Sequence, residues 1–172
     1  MSIPEGTELS LAVGGAQLHT DGPLDENWGP WGHGSLTLNP FPDLERLRIG
    51  AGVGVSYFTE DVTVSLDIYS SSVLEMELFL VTPEVLVSWR QPLGNKFYVE
   101  PGVGVGVVIG YLYAFGDDVA AGYSIRPFVR LGYDAGRWMA GLEAGWQFGA
   151  VDLGEVEDVR VFTFGGFVSF KL

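Results

Sequence analysis

The chain has 172 residues and no cysteine, and it carries 9 Lys and Arg against 22 Asp and Glu, a formal net charge of −13 at pH 7. That balance repels phosphate and excludes nucleic acid as a partner, while the missing thiols exclude a disulfide framework or a thiolate metal site. Hydrophobic residues still make up 47%, alongside 25 glycines, so apolar surface must be hidden from water or turned towards lipid.

At this length a single domain spanning residues 1–172 is the simplest organisation. The chain opens Met-Ser-Ile-Pro-Glu-Gly. It has neither a basic start nor an apolar core segment, so no signal peptide is expected in the sequence as written. The longest uncharged run, residues 101–116, carries Gly102, Gly104, Gly106 and Gly110. It falls short of the roughly 18–20 residues that a membrane helix needs, and so many glycines destabilise a helix. No 3.6-residue period runs through the chain, and eight strands are predicted instead.

The first two strands are residues 9–16 and 32–39, with His33 and Ser35 sharing one face of the second. In the third, residues 46–58, Leu47, Ile49, Ala51, Val53, Val55 and Tyr57 oppose Arg46, Arg48, Gly50, Gly52, Gly54 and Ser56. Alternate side chains of a strand point to opposite faces, so one face is apolar and the other is thin and polar. In the fourth, residues 75–90, Phe79, Val81, Pro83, Val85, Val87 and Trp89 oppose Thr82, Glu84, Ser88 and Arg90. In the fifth, residues 97–113, Val99, Pro101, Val103, Val105, Val107, Ile109, Tyr111 and Tyr113 oppose Glu100, four glycines and Val108. In the sixth, residues 123–133, Ile125, Pro127, Val129 and Leu131 oppose Arg126, Phe128, Arg130 and Gly132. The seventh, residues 138–148, is the clearest. Trp138, Ala140, Leu142, Ala144, Trp146 and Phe148 oppose Met139, Gly141, Glu143, Gly145 and Gln147. The eighth is residues 159–171.

A strand of ten steps at about 3.3 Å spans about 33 Å, and tilted by about 40° it covers roughly 25 Å, the height of a transmembrane barrel's apolar band. Aromatic residues fall at both ends of that band, as membrane girdles do. Trp89, Tyr133, Trp138 and Phe170 lie near the short turns; Tyr57, Tyr111, Tyr113, Tyr123, Trp146 and Phe148 lie near the longer loops. The predicted fold is therefore all-β, an up-and-down antiparallel transmembrane barrel of eight strands. A soluble, lipocalin-like barrel would have to expose the glycine-rich face and crowd the Val, Trp and Tyr side chains into a narrow lumen.

The connections alternate in length. Residues 40–45, 91–95 and 134–137 are tight turns rich in Pro, Gly, Asn and Asp, and residues 20–31, 59–72, 115–122 and 149–158 are longer loops. Asp21, Asp25, Glu26, Glu60, Asp61, Asp67, Asp117, Asp118, Asp152, Glu155, Glu157 and Asp158 fall in the longer loops, which hold no Lys or Arg. Arg46, Arg90, Lys96, Arg137 and Lys171 sit at the short-turn end. Short turns on one side and long loops on the other is the bacterial outer-membrane arrangement, and an even strand count puts both termini at the short-turn end.

Two segments carry a more specific resemblance. Residues 85–106, VLVSWRQPLGNKFYVEPGVGVG, read as strand, turn and strand, with an aromatic-rich strand entry running into alternating Gly and Val. Residues 163–170, TFGGFVSF, match the insertion signal read by the outer-membrane assembly machinery through Thr163, Gly165, Val168 and Phe170, with Lys171 and Leu172 as two extra residues beyond the aromatic. In these the chain resembles the small eight-stranded outer-membrane barrels, the OmpA, OmpX and OmpW-like group. The resemblance implies the outer membrane of a Gram-negative-type bacterium. It implies membrane lipids and lipopolysaccharide as surroundings, and the assembly machinery as a partner during insertion. Likeness to the OmpW type implies a narrow, porin-like channel or a lateral path for small or apolar solutes.

Within the barrel, Glu8, Glu84, Glu100 and Glu143 share the inner parity with Arg48, Arg90, Arg126 and Arg130. A lone buried charge is costly, so mutual pairing is expected, with Glu143 on Arg126 or Arg130. Two roles stand open: a structural network, or a gate whose ion pairs exchange along a conductive path. His33 and Ser35 suggest a hydrolase, which would need a carboxylate beside them. Glu45 lies beyond a turn, and His19 near Asp21 has no third member, so no enzyme is expected and the pair reads as polar residues at the membrane–water edge. The 102–106 glycines open no helix and fail as a phosphate loop. The loop carboxylates lack EF-hand spacing, so neither a bound metal nor a cofactor is expected; divalent ions could still bridge them to lipopolysaccharide phosphates. Trp28 and Trp31 are read equally as a cover over the barrel mouth or partner contact, or as interface aromatics. The expected function is a membrane scaffold presenting acidic loops outward, with a loop-mediated protein partner.

Overall fold

Alternation of glycine with β-branched residues leaves no stripe on which a helix could pack, and the chain forms strands. The structure, a computed structural model, describes residues 6–21, 24–41, 43–67, 70–113, 117–151 and 158–172. Asp152, Glu155 and Glu157 of the predicted acidic loops lie outside the described residues. The strands are β1 (Glu8–His19), β2 (Trp28–Leu38), β3 (Leu47–Asp67), β4 (Ser70–Trp89), β5 (Phe97–Tyr113), β6 (Asp117–Asp134), β7 (Trp138–Ala150) and β8 (Asp158–Lys171), and Gln91–Pro92 adds a two-residue bridge beside β5. Each strand pairs antiparallel with the next, and β8 returns to β1 from Glu8↔Lys171 to His19↔Arg160. The sheet is thus a closed barrel of eight strands, in which no strand is left as an unpaired edge.

The faces settle which way the barrel is turned. Leu11 (62% exposed), Val85 (58%), Val105 (53%) and Leu142 (51%) point outward, whereas Glu143 (0%), Glu100 (1%), Arg126 and Arg130 (2% each) point inward. The wall is apolar and the buried charges point into the lumen, the inverse of a soluble barrel. Of the predicted girdle residues, Trp89, Trp138, Phe170, Tyr111, Tyr113, Tyr123, Trp146 and Phe148 are exposed, and Tyr57 and Tyr133 are half-buried among their outward neighbours. Rings meet across strands: Phe97 with Tyr133 at 5.3 Å between centroids, and Trp146 with Phe162 at 5.4 Å. In the C-terminal segment, Thr163 and Gly165 face inward while Val168 and Phe170 face outward.

Three connections differ from expectation, and in the first of them residues 28–31, predicted as loop, belong to β2 and pair with residues 14–17. Residues 59–67 and 70–72, predicted as loop, continue β3 and β4 as a paired ribbon that reaches Asp67↔Ser70. Residues 117–122 likewise belong to β6, paired as far as Tyr113↔Asp117. Val62, Thr63 and Val64 favour strand, and Val62, Val64 and Leu66 alternate with Thr63, Ser65 and Asp67. Twenty steps at about 3.3 Å make β3 roughly 65 Å long, more than the apolar band can hold even with tilt, so the ribbon projects beyond it. Glu60 and Asp61 are therefore strand residues rather than loop residues.

At the short-turn end the termini close the ring. The amide of Leu172 donates to the carbonyl of Thr7 at 2.9 Å. Gly136 sits at φ 95°, a left-handed conformation that suits glycine, and its amide donates to the Asp134 carboxylate at 2.7 Å.

Replacing an outward residue at mid-band by Arg tests the orientation. V105R is expected to lower unfolding free energy by about 2–4 kcal/mol in lipid vesicles, measured by urea titration. A loss below about 0.5 kcal/mol, the usual size for a surface change in water, would contradict a lipid-facing wall.

Candidate functional site

The inner parity converges on a single chain of charges. Arg90, at the end of β4, donates from both terminal nitrogens to Glu8 of β1, at 2.8 Å each, and from Nε to Glu100 of β5 at 2.6 Å. Arg48 of β3 stands 3.8 Å from Glu8. Glu100 also accepts from Ser88 at 2.8 Å and faces Arg130 of β6 at 3.8 Å. Arg130 Nε donates to Glu143 of β7 at 2.6 Å, and the other oxygen of Glu143 accepts from Arg126 at 2.8 Å. Arg126 turns its remaining donors to Glu84 of β4, at 2.5 Å from Nη2 and 3.1 Å from Nε. His33 of β2 closes the chain, with Nε2 2.8 Å from Glu84 and 3.3 Å from Arg126.

The order is therefore Arg48, Glu8, Arg90, Glu100, Arg130, Glu143, Arg126, Glu84, His33. Four carboxylates alternate with four guanidiniums, so each charge lies beside its opposite and the cluster is formally neutral. Glu143 serves both Arg126 and Arg130, where sequence reasoning left one or the other. Aromatic faces line the rest of the space. Arg90 lies 4.5 Å from the Tyr98 ring centre, Arg126 and Arg130 lie 4.9 and 5.2 Å from that of Phe128, and Arg130 is 5.4 Å from Phe167. Such contacts favour a cation most where water is excluded.

Inward glycines make the network fit. A Cβ on Gly104 would run into the Glu84 carboxylate, and one on Gly132 would strike the Tyr98 ring. Glycine suits these positions through the close approach of side chains rather than through backbone angle. Gly102 and Gly104 thus lie within β5 and leave room for Ser88, Glu84 and Phe128 of the neighbouring strands β4 and β6.

His33, read from sequence as a residue of the membrane–water edge, is instead 2% exposed inside the barrel, stacked on Trp31 at 6.2 Å. Its packing follows from strand parity: β2 begins at Trp28, so Trp31 and His33 both point inward. Of the two tryptophans, Trp31 is 5% exposed in the lumen and Trp28 is 61% exposed on the wall, so no pair covers the mouth. A Ser–His relay is not assembled. His33 Nε2 is engaged by Glu84 and Arg126, and Ser35 Oγ has no hydrogen-bond partner among the described residues. No group of three or more potential metal ligands occurs among the described residues.

Towards the longer loops the lumen turns apolar. Leu18, Phe58, Leu78, Leu80, Met76, Leu112, Val159 and Val161 pack with Leu24 and Val151 as one buried cluster. Leu24 comes from the first loop, which is pinned by Leu18 N to Asn27 O at 2.8 Å and by Asn27 Nδ2 to Thr59 O at 2.7 Å. This plug escaped sequence reasoning because Leu78 and Leu80 alternate with Phe79 and Val81. Both faces of that stretch are apolar, so period two carries no contrast.

Two substitutions probe these pairs. Glu143→Gln leaves Arg126 and Arg130 short of their shared partner and is expected to cost about 3–5 kcal/mol in urea unfolding; a cost under 1 kcal/mol would mean the charges are solvated. At the rim, burial pushes the Asp134 carboxyl up, but the Lys171 ammonium and the Gly136 amide outweigh it and hold it below the ordinary carboxylate range. A depressed carboxyl contributes stability above its unfolded pKa and loses it as pH falls through its folded value. Both partners are more than a third exposed, so D134N is expected to cost less than about 1 kcal/mol at pH 7, with the difference from the parent vanishing in acid.

The fold is similar to that of solved eight-stranded outer-membrane barrels. Neisserial surface protein A superposes with a TM-score of 0.67 at 13% identity, covering 98% of both chains. Ail, the attachment invasion locus protein of Yersinia pestis, gives 0.54 at 13% identity over 97% of this chain and 100% of that one. The outer membrane protein OprG from Pseudomonas aeruginosa gives 0.53 at 12% identity over 98% of both. At such identity the likeness is one of fold. No protein-family model matches the sequence, and no curated protein does.

Proposed function

We propose that the protein is an outer-membrane scaffold with a sealed lumen, embedded in lipid by its apolar wall and presenting an acidic rim on the side of the longer connections. The observation that carries this reading is the doubly blocked interior. The alternating chain from Arg48 to His33 fills the half nearest the short turns, and the apolar cluster around Phe58, Leu78 and Leu24 fills the other. An ion crossing the barrel would have to separate buried pairs and then enter a hydrocarbon-like plug, and each step is costly.

The acidic rim fits a contact surface for a basic partner, or for lipopolysaccharide phosphates bridged by divalent cations, because Asp21, Asp25, Glu60, Asp61, Glu75 and Asp158 stand there with Arg160 as the lone Lys or Arg at that end. The residues matching the insertion signal support delivery by the outer-membrane assembly machinery, since Phe170 and Val168 face lipid where a membrane-embedded receptor could read them.

Single-channel recording in a planar bilayer tests the sealed lumen. The folded protein is expected to give no conductance steps. A variant that removes the plug side chains, F58A with L78A, is expected to stay silent as long as the charge chain is intact. Discrete steps from the unaltered protein would overturn the scaffold reading in favour of a channel.

A further inference from the structure

Some outward aromatic residues pack on one another, as Phe97 does on Tyr133 and Trp146 on Phe148 and Phe162, but between β3, β4 and β5 they surround an opening. Tyr57, Phe79 and Tyr111 stand in one row across the three strands, since Tyr57 pairs with Phe79 and Phe79 with Tyr111. Glu77 lies one step higher on the same face, opposite Tyr113. Together with Val81 these side chains line a recess of about 370 Å³. The Phe79 and Tyr111 rings are splayed at 45° with their centres 6.3 Å apart, so their faces are not spent on each other.

The carboxylate is the informative member. Glu77 accepts a hydrogen bond from the Tyr57 hydroxyl, and among the described residues no Lys, Arg or His pairs with it. Asp61 and Glu75, paired with each other one step further out, add negative charge on the same face. Arg160 is on β8, across the ring from β4. A carboxylate set among apolar side chains at the edge of a lipid-facing wall calls for a cation, and the surrounding ring faces favour one that is weakly hydrated.

We propose that this recess binds an alkylammonium group, with the Tyr57, Phe79, Tyr111 and Tyr113 rings as walls and Glu77 as counter-charge. A metal ion fits less well, because the recess offers one carboxylate where a hard cation takes six or more oxygens. The ammonium can arrive on a lipid headgroup or on a soluble amine. The site is on the outer wall, so it stands or falls independently of whether the lumen conducts.

The test uses the whole folded protein in a maltoside detergent, which carries no ammonium. Tetramethylammonium chloride is titrated while tyrosine ring resonances are followed by NMR. Its neutral analogue 3,3-dimethylbutanol and sodium chloride serve as controls. Saturable shifts are expected with tetramethylammonium alone. Both Glu77→Gln and Phe79→Leu are expected to weaken binding by about tenfold, within the range of such contacts, while a Trp138→Leu control at the opposite girdle leaves it unchanged. The heat-modifiable gel shift verifies that each variant is folded. Repeating the titration in nanodiscs separates the sources. With salt high enough to screen the charge of phosphatidylglycerol, weaker apparent binding in phosphatidylcholine than in phosphatidylglycerol identifies a lipid headgroup, and equal binding identifies a soluble amine. Shifts that fail to saturate, that dimethylbutanol reproduces, or that both variants leave unaltered would overturn the site.

Discussion

A barrel whose wall faces hydrocarbon has to keep its charges inside, and inside this one the charges turn chiefly to one another. That constraint organises the molecule. Arg126 reaches Glu84 and Glu143, Arg130 shares Glu143, and Arg90 grips Glu8 and Glu100. The partners come from β1, β4, β5, β6 and β7, so the network ties strands far apart in sequence across the lumen. Removing one member would strand its neighbours without water, which is why buried pairs are costly to break even where they add little net stability. The glycines follow from the same constraint: Gly104 and Gly132 are small because Glu84 and Tyr98 occupy the space their side chains would take.

The two halves of the lumen close by different physics. Near the short turns, ion pairs and cation–π contacts hold the guanidiniums in place. Near the longer connections, Phe58, Leu78 and Leu24 exclude water simply by filling the bore. Eight strands enclose an interior that side chains can fill, and this sequence fills it with opposite charges at one end and hydrocarbon at the other. Under the proposed scaffold reading, the surfaces left for contact are the acidic rim and the outer wall, where the recess at Glu77 interrupts the aromatic girdle.

Much of the fold was legible because membrane strands must alternate. Trp138 to Phe148 read as one lipid-facing and one inward face, and Glu143 fell on the inward one. The charged residues of the lumen could be sorted by parity, but parity says only which face a residue occupies. It could not pair Arg126 with both Glu84 and Glu143, because partners across a lumen are set by closure and strand stagger. His33 was misplaced because the start of β2 was set too late, which left Trp31 in a loop. The apolar plug was silent because Leu78 and Phe79 look alike to a hydropathy pattern. The upper ribbon of β3 and β4 did leave a trace, since Val62, Val64 and Leu66 alternate with Thr63, Ser65 and Asp67, but it lies beyond the length that an apolar band needs and so read as loop.

The central claim is that the guanidiniums of Arg126 and Arg130 are sealed in the lumen and held by carboxylates. Hydrogen exchange at the arginine Nε sites, followed by NMR in detergent micelles, tests it most directly. The account predicts Nε–H signals from Arg126 and Arg130 that persist long after those of exposed Arg137 and Arg160 have exchanged. Exchange of all four at a common rate would show that water reaches the network freely, and would contradict a sealed interior.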